Sequence, residues 1–145
     1  MKKNKISKNW INKQRRDIYV RRSKVEGYRS RAVYKLQEID QKFRIFKNGM
    51  SVIDLGAAPG SWSQYVLKNV KNGKIVSIDF KDFEKIGNIH QIKGDFTDDR
   101  YKKEIVDYFG VKVDVVLSDL AVNTTGNKNL DSIYTGELCM EAMKF

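Results

Sequence analysis

The chain has 145 residues, enough for one domain with a real core and too few for two. Hydrophobic residues make up 41% and charged residues 32%, and no apolar stretch approaches the roughly 20 residues that span a bilayer, so no membrane span and no membrane partner are expected. The net charge of +10 sits wholly in residues 1–31, where 12 Lys/Arg face only Asp17 and Glu26; the remaining residues balance. The lysine-rich N-terminus has no apolar segment behind its charges, which excludes a secretory signal. One cysteine, Cys139, cannot form an internal disulfide, and with the single histidine, His90, it leaves no His/Cys metal site to expect.

Residues 1–29 read as a basic arm with some helix. Its bases are interleaved with Trp10, Tyr19 and Tyr28. Lysine and arginine neutralise phosphates, and aromatic rings stack on unpaired bases. The pattern favours nucleic acid over a solvated tail or a membrane-surface patch. Arg15, Arg16, Arg21, Arg22, Arg29 and Arg31 are the candidate contacts, and charge does not separate DNA from RNA.

Residues 30–145 read as one α/β unit. Ser30 is placed to cap a helix through about Phe43, with Val33, Leu36, Ile39 or Asp40, and Phe43 at helical spacing. Asn48-Gly49 is a turn, and Ser51–Leu55 is the first strand. A helix follows from Ser61 to Val70, then a turn at Asn72-Gly73 and a second strand over Lys74–Asp79. Ile89–Asp95 reads as a third strand. Asp98 or Asp99 opens a helix that stops at Gly110. Val113–Asp119 is nearly continuous in apolar residues, the pattern of a strand buried on both faces. Asp131 opens a last helix reaching Phe145. Alternating strands and helices predict a parallel sheet with right-handed crossovers. A four-stranded sheet would leave the apolar fourth strand at an open edge, and the last helix carries no stop signal. Both features suggest that the C-terminal strands of the domain are missing.

The candidate site lies at the strand ends. An apolar run meets Asp54, then Leu55-Gly56-Ala57-Ala58-Pro59-Gly60-Ser61-Trp62: a strand, a tight turn and a helix start. A ligand can lie against such bare backbone. A dinucleotide loop would have glycine where Ala58 stands, and Pro59 removes a backbone donor, so the loop suits a ligand without phosphate, such as S-adenosylmethionine. This disfavours a nicotinamide-dependent oxidoreductase. Asp79, 19 residues past Gly60, has the spacing of a carboxylate that accepts ribose hydroxyls. Asp95 ends the third strand, where it faces an adenine or caps the next helix. Asp119 ends the most apolar strand and needs a positive partner there. Lys35 is a surface lysine taken alone; next to Asp119 it is a paired, desolvated one.

Four segments together resemble the FtsJ-like ribosomal RNA 2′-O-methyltransferases. They are Arg29-Ser30-Arg31-Ala32-x-x-Lys35-Leu36; Asp54-Leu55-Gly56-Ala57-Ala58-Pro59-Gly60-x-Trp62-Ser63-Gln64; Gly94-Asp95-Phe96; and Ser118-Asp119-x-Ala121-x-Asn123. The resemblance implies a Rossmann-like methyltransferase fold that uses S-adenosylmethionine. It implies methylation of a ribose 2′-hydroxyl, a uridine's, in large-subunit ribosomal RNA within an assembled particle, by a cytoplasmic monomer. Gly60, Trp62, Asp79, Asp95 and Asp119 fall on the family's cofactor positions, and Gly56 opens the same loop. Lys35 and Asp119 fall on two members of its catalytic set. The remaining members, a second lysine and a glutamate, have no counterpart here, and Val122 replaces the family's proline. The alternative reading is therefore a catalytically inactive cofactor- or RNA-binding remnant.

Overall fold

Strand β1 (Ser51–Leu55) is buried at all five positions, so both faces of the sheet must be covered. In this computed structural model, which describes residues 9, 11, 13, 17–120 and 125–145, they are. Four parallel strands lie in the order β3-β2-β1-β4, where β2 is Lys74–Asp79, β3 His90–Lys93 and β4 Val115–Ser118. The order reverses between β1 and β4. This is a Rossmann-like α/β architecture.

Side-chain alternation along β1 decides which helices cover which face. Val52 packs with Ile75 and Leu117 under Val33 and Leu36 of α2 (Val33–Phe43) and Trp62, Tyr65 and Val66 of α3 (Ser61–Asn69). Ile53 and Leu55 face the other way, with Val76 and Ile78, onto Ile105 and Phe109 of α4 (Asp99–Phe109) and Ala142 of α5 (Lys128–Ala142). Helix α1 (Ile18–Val25) lies outside α2. Asp17 caps it, Ser23 is buried, and the Tyr34 hydroxyl donates to Glu26 at 3.0 Å.

The first two strands have the bounds expected from alternation. Asp98 caps α4 and Gly110, at φ +65°, stops it, as the sequence indicates. Four expectations are corrected. Ser30 does not cap α2: its hydroxyl pairs with that of Ser61 at 2.8 Å, and the helix starts at Val33 without a side-chain cap. β3 is shorter than Ile89–Asp95, because Ile89 closes a turn onto Ile86 and Gly94 bonds back to Asp79, the last residue of its partner strand. β4 is Val115–Ser118, an edge strand with only Leu117 buried; Asp114 ends the loop before it by accepting from the Ser51 amide at 2.7 Å. Helix α5 begins at Lys128 because Asn127, not Asp131, is its cap.

Candidate active site

The reversal between β1 and β4 opens a crevice at their C-terminal ends, the usual ligand position in open α/β sheets. The β1–α3 turn forms its floor. Gly56 and Ala57 both donate to the Ile78 carbonyl, and the Ala58 amide donates to Asp79 Oδ2 at 3.0 Å. Gly56 has φ +71°, which favours glycine, and a Cβ there would displace the Leu120 side chain that packs against it. Gly60, at φ +110°, leads into α3.

Arg29, expected among the nucleic-acid contacts, is used otherwise. Its guanidinium donates to the carbonyls of Pro59, Glu84 and Lys85 at 2.6–3.2 Å, and its amide donates to Gln64 Oε1. The side chain is only 20% exposed. It clasps the turn to the segment after β2. Arg22 bonds Glu26 at 2.7 Å and stacks on Tyr34, and Arg31 pairs with Asp17 at 3.0 Å while remaining exposed. Arg21 lies on α1. Arg15, Arg16 and Trp10 fall outside the described residues, as do residues 121–124 of the fourth motif.

The expected cofactor residues surround the turn. Asp79, half-buried, holds the Ala58 amide with Oδ2 and the Lys81 amide with Oδ1. Asp95 accepts from the amide and hydroxyl of Thr97, and Asp98 takes the capping role. Trp62 is buried and donates its indole N–H to the Ala32 carbonyl at 2.7 Å, tying α3 to the start of α2. A narrow 70 Å³ cleft is bounded by residues 56–59, Asp54, Ser61, Trp62 and Asp119.

Lys35 and Asp119, 84 residues apart, meet at the mouth of this cleft, Nζ to Oδ1 2.5 Å. The expected pairing is present, and the expected desolvation is not: the side chains are 62% and 36% exposed.

Asp54 is the residue that sequence reasoning underused. It is buried and accepts from the Ser63 hydroxyl at 2.6 Å, which in turn meets Ser77 at 2.6 Å. Burial pushes its carboxyl up to about 7, the Ser63 bond opposes this, and the nearby Asp79 and Asp119 push the same way as burial. The signal was present: one acid inside a strand of otherwise buried residues needs a hydroxyl partner. What could not be read was which serine supplies it.

Carboxylates at the ends of β2, β3 and β4, with a turn poor in phosphate donors, suit a ligand bearing hydroxyls, an amino edge and positive charge. Fold and site thus define a Rossmann-like α/β protein with an acidic crevice at the strand switch. The chain belongs to the FtsJ-like methyltransferase family, whose model matches residues 28–145. It is 68% identical to ribosomal RNA large subunit methyltransferase E of Pelagibacter ubique, over all of this chain and 71% of that protein. The protein of the same name from Rickettsia akari is 43% identical over 96% of this chain and 64% of its own length. A crystal structure of a Plasmodium falciparum ribosomal RNA methyltransferase superposes with a TM-score of 0.74 at 36% identity, covering 80% of this chain and 69% of that one. The chain thus spans about two thirds of the length of these relatives.

Proposed function

We propose that the chain carries the cofactor half and part of the catalytic set of an S-adenosylmethionine-dependent enzyme that methylates a uridine ribose 2′-hydroxyl in large-subunit ribosomal RNA, as a cytoplasmic monomer acting on the ribosomal particle. The observation that carries this reading is the Lys35–Asp119 pair beside the phosphate-poor turn. Family membership and the names of the relatives support it.

The site fits the cofactor in donor chemistry. Asp79 is placed for the ribose hydroxyls, Asp95 for the adenine amino group, Asp119 for the cationic end, and Gly56, Gly60 and Trp62 line the turn beneath. When bound, S-adenosylmethionine supplies an electrophilic methyl group on a sulfonium. Asp119 fixes the Lys35 ammonium, and that ammonium orients the 2′-hydroxyl and offsets negative charge growing on its oxygen. By the family resemblance the proton acceptor is a second lysine.

Calorimetric titration with S-adenosylmethionine tests the reading. Binding in the micromolar range is expected, and a folded chain without binding refutes it. Asp79→Ala is expected to weaken that binding about ten- to a hundredfold, because one or two hydrogen bonds to a charged acceptor disappear. Unchanged affinity would remove Asp79 from the ribose role.

The basic arm is the proposed RNA-binding segment. Residues 1–16 hold seven Lys/Arg and no acid, whereas α1 packs on α2, so the clean truncation ends at residue 16. The truncated chain should bind RNA more weakly, and its log–log salt slope should flatten by about 0.7 for each single-strand phosphate that the arm no longer neutralises. Identical slopes would make the arm irrelevant to RNA.

A further inference from the structure

A groove of 570 Å³ runs along the junction of α1 and α2 and ends at the Lys35–Asp119 pair. This volume holds a nucleoside. We propose that the groove is a base-recognition subsite for the nucleotide next to the target, and that it takes guanine. The inference rests on the RNA-methyltransferase reading and adds a specificity site to it.

The groove wall is one face of α2. Tyr34, Gln37, Glu38 and Gln41 stand at i, i+3, i+4 and i+7, so their side chains project the same way. Tyr34 is buried, whereas the side chains of Gln37, Glu38 and Gln41 form no hydrogen bond or ion pair with any described residue. Across the groove, Tyr19 of α1 leaves 47% of its surface open, with its ring 5.5 Å from that of Tyr34. Arg22 and Arg31 stand at the rim, each ion-paired, with Glu26 and Asp17 respectively. An exposed aromatic ring beside unpaired amide and carboxylate groups makes a surface that can hold a splayed single-stranded base.

Hydrogen-bond geometry selects the base. The Glu38 carboxylate has two acceptor oxygens and no donor. Guanine alone presents two adjacent donors, N1–H and N2–H, on its Watson–Crick edge, and so can bond both oxygens at once. Adenine and cytosine set a ring-nitrogen acceptor beside their amino group. Uracil sets carbonyl oxygens on both sides of its N–H. Each of these turns an acceptor toward the carboxylate. Gln37 and Gln41, one turn apart, can donate to O6 or N7 of a guanine so held. Lys35 lines the same groove, and since the proposed target is a uridine, a guanine bound there belongs to a neighbour of the ribose at Lys35.

Fluorescence anisotropy with oligouridine strands carrying one internal guanosine, adenosine or cytidine tests this on the full chain. The guanosine strand should bind about tenfold tighter than the others, the worth of one good bidentate pair. Glu38→Gln should reduce that preference to less than about twofold, because the amide presents a donor where an acceptor is needed. Tyr19→Ala should weaken all strands about tenfold and Tyr19→Phe should restore them, since stacking needs the ring and not the hydroxyl. RNA binding without guanosine preference, or a preference that survives Glu38→Gln, overturns the subsite and leaves the methyltransferase reading standing. Failure of every strand to bind overturns the subsite, while the calorimetric titration with S-adenosylmethionine decides the methyltransferase reading separately.

Discussion

Under the proposed function, Lys35→Ala is expected to lower methyl transfer to large ribosomal subunits by about 10²- to 10⁴-fold in the whole protein and to leave S-adenosylmethionine affinity within about twofold. The asymmetry follows from where the side chain sits. Lys35 is exposed, its one ion pair among the described residues is to Asp119, and it lines the groove rather than the narrow cleft under the turn. Its truncation therefore leaves the core and the cofactor floor intact. What it removes is the positive charge held at the crevice mouth, where the 2′-oxygen would gain negative charge. Lys35→Arg should recover little, since a planar guanidinium cannot put its charge where a single ammonium stood. Single-turnover transfer and calorimetry on the same preparations separate the two effects. If Lys35→Ala abolishes cofactor binding, the lysine belongs to the cofactor site and its assignment to the reacting hydroxyl is wrong.

Asp54→Asn is expected to remove a pH dependence of stability that the raised Asp54 carboxyl predicts between about pH 4 and 7. The folded carboxyl keeps its proton up to about 7, while in the unfolded chain it is lost near 3.8. Between those values the folded state binds more protons than the unfolded state. Stability therefore falls as pH rises through this window and levels off above it. The stabilising contribution is fully present below 3.8 and is gone above about 7. Carried across the window, it amounts to on the order of 4 kcal/mol. An asparagine still accepts the Ser63 hydroxyl bond but has no proton to lose, so above neutral pH the variant should be the more stable protein. Urea midpoints of both proteins from pH 4 to 8 check this, because groups common to the two cancel in the difference. Parallel curves would mean that Asp54 is ionised throughout and that its desolvation is offset by partners other than Ser63.

Much of the architecture was legible because it is set locally. Alternation over Ser51–Leu55 and Lys74–Asp79 placed two strands to the residue, and Asp98 and Gly110 bracketed α4, since caps and turns act within a few residues of themselves. The same logic placed Asp79, Asp95 and Asp119 at strand ends, and the resemblance supplied their proposed roles. Helix and strand starts that depend on distant partners were not legible. Ser30 had the right identity and position to cap α2 but is drawn to Ser61, 31 residues away.

The site divides the same way. By itself, the sequence determined a parallel α/β sheet, a phosphate-poor turn, acids at the ends of its strands and a basic arm, because periodicity, residue type and spacing dictate these. Only the tertiary structure decided what each charge faces. Arg29 was one of six similar arginines until the turn and the segment after β2 converged on its guanidinium. Asp54 became a proton-holding acid only when two helices closed over its face of the sheet and left it one chain of serines. Lys35 met Asp119 but stayed in water, because β4 is the edge strand and nothing described packs beyond it. Burial and pairing of a charge depend on residues tens of positions apart, and no local pattern encodes them.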